Sequence, residues 1–183
     1  MPVTLIPRPY AKNLVTISTA DESMIPFLSA FSVPTTSTAI GTAKLIMYYP
    51  FVLYSPFTVA EFVWLNGTTA AGHIQMGVYN EAFTLLGNNG TTTSQTGTSA
   101  AQIVAPTSGF TLPAPARYYL AITSDDATST FAAPATAPIT GIMGGFGAMT
   151  ETTGSFGLAG TATPAVATSE FLFLCGISGS TAA

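Results

Sequence analysis

The sequence predicts an all-β domain, an antiparallel β-sandwich whose size suits a jelly roll of about eight main strands. Short runs rich in β-branched and aromatic residues alternate with turn residues such as Gly, Pro and Asn. Apolar and polar residues alternate along several of these runs, and no run sustains a helical spacing. Charged residues make up 7% of the 183-residue chain and hydrophobic residues 48%, so a core can form while the surface stays largely uncharged.

The chain divides into an arm and a domain. Residues 1–43 are rich in Pro, Thr and Ser, and they are predicted to form an extended N-terminal arm. Residues 44–183 are predicted to form the β-sandwich, with low-complexity loops around 127–169 where Ala, Thr, Gly and Pro dominate. Stretches of this composition are typical of loops.

Two strands are predicted between Leu45 and Leu65, on either side of Ser55-Pro56. Because strand side chains alternate, the second run should place its residues on two faces. The division is Phe57, Val59, Glu61, Val63 and Leu65 against Ala60, Phe62 and Trp64. Both faces are largely apolar, so one should cover the core and the other should meet another sheet, the arm or another subunit.

Later runs supply the rest of the sheets. After a turn at 66–72, the run from Ile74 to Tyr79 alternates like a half-buried strand, with Gln75, Gly77 and Tyr79 facing away from the core. The run 117–123 also alternates, with Arg117, Tyr119 and Ala121 outward, and 170–178 is predicted as a strong strand that pairs with a central early strand. The predicted core comprises Phe62, Trp64, Ile74, Met76, Val78, Tyr118, Leu120 and Ile122.

Composition excludes several classes of function. The only basic residues are Arg8, Lys12, Lys44 and Arg117, and the net charge is −4, so no nucleic-acid partner is expected. The N-terminus has no basic region followed by an apolar core, so no signal peptide is expected. The apolar region 45–65 is interrupted by two prolines and one glutamate and is rich in strand-forming residues, so no membrane partner is expected.

The single histidine and the single cysteine do not form a recognisable site. His73 follows Gly72 and has no companion ligand at metal-binding spacing, so a structural or surface role at a strand entrance is predicted. Cys175 lies in an apolar run, where cysteine usually acts as a small hydrophobic residue, and it can form no intrachain disulfide. No metal and no cofactor are expected.

Three carboxylates and one glycine-rich segment are candidates for catalytic or phosphate-binding groups. Asp125 and Asp126 lie in a sequence typical of a turn, although paired carboxylates also occur in glycosidases. Glu61 interrupts an apolar face, so it should meet a cation at an interface or lie at an exposed edge. The segment Gly141–Gly147 lacks the Lys-Ser/Thr ending of a phosphate-binding loop. No catalytic residue is therefore predicted, and the protein is not expected to be an enzyme.

An aromatic series in the first strands permits two interpretations. Such rings can bind sugars by stacking, but strands are normally rich in aromatic residues that pack in cores and interfaces, which is the favoured interpretation. The series comprises Tyr48, Tyr49, Phe51, Tyr54, Phe57 and Trp64.

The run "YYPFVLYSPFTVAEFVWLNGTTAAGHIQMGVYNE", followed by "RYYLAITSDDATSTF", resembles β-sandwich virion proteins of tailed bacteriophages. The resemblance covers about residues 48–131. It implies a capsid decoration (cement) protein, a head fibre or a tail component, with no catalytic or ligand residues to transfer.

The leading hypothesis is a non-enzymatic virion protein, assembled in a host cytoplasm, that binds a major capsid protein or another virion protein. A symmetric homo-oligomer is also expected. Surfaces with little charge associate readily, and closed cyclic symmetry lets them cover one another without open-ended polymerisation. A trimer is chosen by analogy with decoration proteins at three-fold positions. The alternative is a carbohydrate-binding module for receptor attachment on a tail or head fibre.

Overall fold

The computed structural model describes residues 17–19, 22–26, 35–134, 149–166 and 173–181. Within these ranges the chain forms antiparallel strands and no helix, which confirms the predicted fold class. The described residues accordingly contain no helix that could span a membrane. The strands are β1 (Ile17–Thr19), β2 (Glu22–Pro26), β3 (Thr35–Ala39), β4 (Leu45–Leu53), β5 (Phe57–Leu65), β6 (Ile74–Asn80), β7 (Leu85–Asn88), β8 (Ala101–Val104), β9 (Phe110–Leu112), β10 (Ala116–Ser124), β11 (Thr130–Pro134), β12 (Met149–Thr152), β13 (Ala165–Val166) and β14 (Cys175–Thr181).

Two six-stranded sheets enclose one hydrophobic core. The β5 sheet has the order β1-β2-β14-β5-β8, with β9 also paired to β5. The β10 sheet has the order β13-β12-β4-β10-β6-β7, and β11 pairs with β3 in a third, two-stranded sheet. Strands of both large sheets contribute to the same buried cluster, as expected for a sandwich. Jelly-roll connectivity stays a prediction.

The predicted core residues all lie in this cluster. All eight are buried: seven have no exposed surface, and Tyr118 is 3% exposed. The period-2 pattern locates them because it reports which side chains leave the same side of a strand. The predicted pairing of the last strand with an early central one is also confirmed, since β14 pairs with β5.

The predicted division of β5 into two apolar faces is wrong. Phe57 and Val59 were expected opposite Phe62 and Trp64, yet all four are buried in the one core. The register with β14 shifts at this point, so that Ser178 pairs with Glu61 and the next residue, Gly179, pairs with Val59. Ala60 is thus an extra, exposed residue, and such a β-bulge reverses the side-chain alternation.

Gly179 permits this bulge. A Cβ atom at this position would lie 1.9 Å from the backbone oxygen of Thr58, well inside van der Waals contact. Only a residue without a side chain therefore allows β14 to approach β5 so closely.

The faces of β6 and β10 that were predicted to point away from the core are buried, contrary to prediction. Tyr79 and Ala121 have no exposed surface, and Tyr119 is 6% exposed. Residues 153–163, here called the strap, cover this face of the β10 sheet, and Leu158 and Ala162 pack in a second apolar cluster there. Local alternation could not reveal a cover that is supplied by a distant, low-complexity segment.

The predicted arm contains three of the described strands. β2 pairs with β14, β1 pairs with β2, and β3 pairs with β11, so these parts of residues 1–43 belong to sheets. Residues 40–43 are also described, and Ile40 is buried in the core. The rest of the predicted arm lies outside the described ranges. The low-complexity region is described in part, at 127–134 and 149–166, which include β11, β12, the strap and β13.

Candidate functional site

His73 lies at the entrance of β6, as predicted, but the structure gives it a partner. Ser124, the last residue of β10, pairs with Ile74, so the next residue, Asp125, lies beside His73. The Asp125 carboxylate accepts the backbone N–H of His73 at 2.6 Å, and its other oxygen lies 2.8 Å from ring Nδ1. The backbone N–H of Asp125 donates to the carbonyl of His73 at 3.2 Å. This corner therefore clamps the ends of two neighbouring strands.

The neighbouring Gly72 has a φ of +65°, and a Cβ there would lie 2.2 Å from an Asp125 carboxylate oxygen. Glycine thus lets the carboxylate reach His73. Partial burial by itself would raise the pKa of Asp125, but the hydrogen bonds from the His73 backbone and ring outweigh it and lower the pKa. Asp125 is consequently stabilised in its charged form by the fold.

Acid should weaken this clamp. Because the pKa of Asp125 in the folded chain lies below its ordinary value of 3.8, its contribution to stability is present above that pH. The contribution is lost as the pH falls through the lower folded pKa. Since the pair is partly exposed, we expect an effect below about 1 kcal/mol.

Urea midpoints at pH 5 and below pH 3 measure this contribution. Asp125→Asn should reduce the difference between the two urea midpoints, because it removes the titrating group of the clamp. Glu81→Gln, which removes an exposed carboxylate outside the clamp, should retain that difference. Identical acid profiles for Asp125→Asn and the unmodified chain would contradict the assignment.

The other chemistry-bearing residues are dispersed. Asp126 caps a turn, as predicted: its Oδ1 accepts the backbone N–H and the hydroxyl of Thr128, both at 2.7 Å. Cys175 is buried at the start of β14, where burial raises the pKa of its thiol. Among the described residues, no three His, Cys, Asp or Glu side chains come together in a way that could hold a metal ion. Gly141–Gly147 lies outside the described ranges.

Most of the aromatic series belongs to the interior. Tyr54, in the turn between β4 and β5, is 68% exposed, whereas the other five members are at most 4% exposed. The predicted packing role is therefore observed for these five. The rings cannot present a continuous stacking platform to a sugar. The buried members are Tyr48, Tyr49, Phe51, Phe57 and Trp64.

Tyrosines dominate the face beneath the strap. The rings of Tyr48 and Tyr79 meet edge to face with centroids 5.4 Å apart. The Tyr48 hydroxyl donates to Glu151 of β12 at 2.8 Å, and the Tyr79 hydroxyl donates to the Ala159 carbonyl of the strap at 2.6 Å. Burial raises the pKa of Tyr79 to about 12 and that of Tyr48 still further, so both hydroxyls are neutral donors.

The outer face of β5 is a partly exposed apolar surface. Beyond the bulge, Phe62 and Trp64 point into the core, so Glu61, Val63 and Leu65 point outward. Val63 pairs with Ile103 of β8, which is 56% exposed. This set, Glu61, Val63, Leu65 and Ile103, is here called the β5 patch.

Glu61 is the one charge of the β5 patch. Its carboxylate accepts the Ser178 hydroxyl at 2.8 Å. Among the described residues, no Lys or Arg side chain lies within ion-pair distance of Glu61. Since β5 lies between β14 and β8, the structure places Glu61 on a sheet face and not at an exposed sheet edge.

Sequence reasoning missed the pairing of His73 with Asp125. The two residues are 52 positions apart, and neither has a distinctive local motif. A usable signal existed in the antiparallel register, since pairing Ile74 with Ser124 brings His73 beside Asp125.

Comparison with known protein families, curated proteins and solved structures finds no match in any of the three. The resemblance to bacteriophage virion proteins therefore depends on the quoted strand patterns alone. The candidate site is defined by its geometry: an apolar face with a single carboxylate.

Proposed function

We propose that this protein is a non-enzymatic structural component of a bacteriophage particle, which decorates or cements the capsid. The observation that carries the proposal is the β5 patch. Apolar side chains on a sheet face lose contact with water when another protein covers them, which stabilises association by about 25 cal/mol per Å². The only charge in the patch is Glu61, which a basic residue of the partner would neutralise.

The N-terminal arm is part of the proposed contact. A specific protein interface covers about 800 Å² on each partner, which is more than a few side chains supply. The arm contains two of the four basic residues, Arg8 and Lys12, together with apolar residues. We infer that arm and patch together bind a major capsid protein, with the protein arranged as a symmetric oligomer, most simply a trimer.

The carbohydrate-binding alternative has weaker support. It requires exposed rings beside polar groups, whereas five of the six rings in the series are buried. Of these six rings, only that of the exposed Tyr54 could stack on a sugar.

Particle binding tests the proposal. Virus particles purified from the cells that produce the chain should contain it, and stripped particles should bind it again. Ile103→Asp should weaken rebinding at least tenfold, because the substitution places a charge in the apolar contact. Val166→Asp is the matched control, since Val166 is similarly exposed, at 59% against 56%, but lies on β13 of the other sheet.

The arm is tested by removing only residues 1–16. A deletion to residue 43 would also remove β1, β2 and β3, which belong to sheets. Absence of the chain from particles would contradict the proposed function. Unchanged rebinding of the Ile103 variant and of the truncated chain would contradict the proposed contacts.

A further inference from the structure

The strap is a thin cover over the tyrosine face, the side of the β10 sheet that carries Tyr48, Tyr79 and Tyr119. It contributes only two apolar residues to the cluster beneath it, Leu158, which is partly exposed, and Ala162. The sheet beneath it presents several buried rings, among them Tyr48, Tyr79 and Tyr119. Burial of apolar surface by the strap is therefore small compared with burial in the main core.

Individual hydrogen bonds supply most of the other contacts. The backbone N–H of Leu158 donates to the Gln75 side chain at 2.7 Å, and the Tyr79 hydroxyl donates to Ala159 at 2.6 Å. The N–H of Leu85 donates to the Gly160 carbonyl at 2.9 Å. Water can replace each of these partners when the strap leaves, so their net contribution is modest.

Two glycines, Gly154 and Gly160, lie within the strap on either side of Leu158 and Ala159. A Cβ at Gly154 or Gly160 would meet no atom within 4 Å, and neither residue has the positive φ that favours glycine. Neither packing nor backbone conformation therefore requires glycine at these positions. What glycine does add is backbone freedom, which is what hinges need.

The covered face also contains an unsatisfied polar atom. Thr123 follows Tyr119 and Ala121 on the same side of β10, and its hydroxyl is buried without a hydrogen-bond partner among the described residues. Burying a hydroxyl without a partner disfavours the closed state relative to a hydrated one.

We propose that residues 154–160 form a hinged lid, which opens by itself while the sandwich stays folded and so exposes the tyrosine face. Gly154 and Gly160 are the hinges. The Gln75 and Tyr79 side chains are the latches. The lid does not depend on the proposed virion role, because it follows from contacts within one chain.

Amide hydrogen exchange of the full chain tests the lid. The amides of Leu158 and Leu85 should exchange faster than that of Leu120 in β10, and low urea should not change their rate. Replacing both hinges with alanine should slow the strap amides about 4- to 25-fold, since each Gly→Ala change reduces backbone freedom by roughly twofold to fivefold. Tyr79→Phe, which removes one latch, should accelerate them.

Gly109→Ala is the matched control. A Cβ at Gly109 also meets no atom within 4 Å, but Gly109 lies outside the strap. This variant should leave strap exchange unchanged. Exchange of Leu158 and Leu120 at the same rate in every variant would overturn the lid, because the strap would then open only on global unfolding. An unaltered rate in the double alanine variant would overturn the hinges.

Discussion

Replacing Leu120 with alanine is expected to lower the free energy of unfolding by about 2–5 kcal/mol, the usual cost of truncating a buried leucine. Leu120 has no exposed surface and lies in the middle of β10. It pairs with Tyr49 of β4 on one side and Val78 of β6 on the other. Three packed strands cannot close around the missing atoms without disturbing both registers, so a cavity should persist.

Urea unfolding followed by circular dichroism and by Trp64 fluorescence measures this loss. Leu86→Ala is the matched control, because Leu86 lies on the edge strand β7 and is 37% exposed. Its cost should be below that of Leu120→Ala. Equal costs for the two leucines would show that the inner face of β10 has been assigned wrongly.

Gly179→Ala is expected to lower the free energy of unfolding by about 1–3 kcal/mol, because overpacking forces backbone shifts. The added methyl group would lie 1.9 Å from the Thr58 backbone oxygen and 3.0 Å from a Phe57 ring carbon. A backbone oxygen within a paired strand cannot rotate away as a side chain can. β14 must therefore move away from β5 and weaken the bulge that keeps Phe57 and Val59 in the core.

Gly109→Ala provides the comparison, because a methyl group there meets open space. That variant should be unchanged or slightly stabilised through reduced freedom of the unfolded chain. If Gly179→Ala is equally harmless, the close approach of β14 and β5 does not constrain this position.

Local patterns in the sequence predicted the fold class and the centre of the core. Alternation along β6 and β10 placed Met76 and Leu120 inside, because the pleat of a strand sends alternate side chains to opposite sides. Turn residues at Ser55-Pro56 and at 66–72 separated β4, β5 and β6 for the same local reason. Low charge with high apolar content predicted a surface suited to association, although no partner follows from composition.

Pairing between distant strands decided the rest. The bulge at Ala60 arises from the register of β5 with β14, and the sequence of β5 by itself gives an unbroken alternation. His73 acquires Asp125 as a partner only because β6 and β10 are neighbours in one sheet. Neither feature has a local signal, since both depend on which strand lies beside which.

The sequence by itself determined that this chain forms antiparallel strands around an apolar core, because propensity and alternation act within a few residues. Only the tertiary structure decided which faces remain uncovered. The low-complexity strap covers the tyrosine face through hydrogen bonds such as that from Tyr79 to Ala159, 80 residues apart. The β5 patch keeps Ile103 exposed because no described segment packs over it. Coverage of a sheet face depends on contacts between segments that are distant in the sequence. Such contacts produce no periodic pattern of apolar and polar residues.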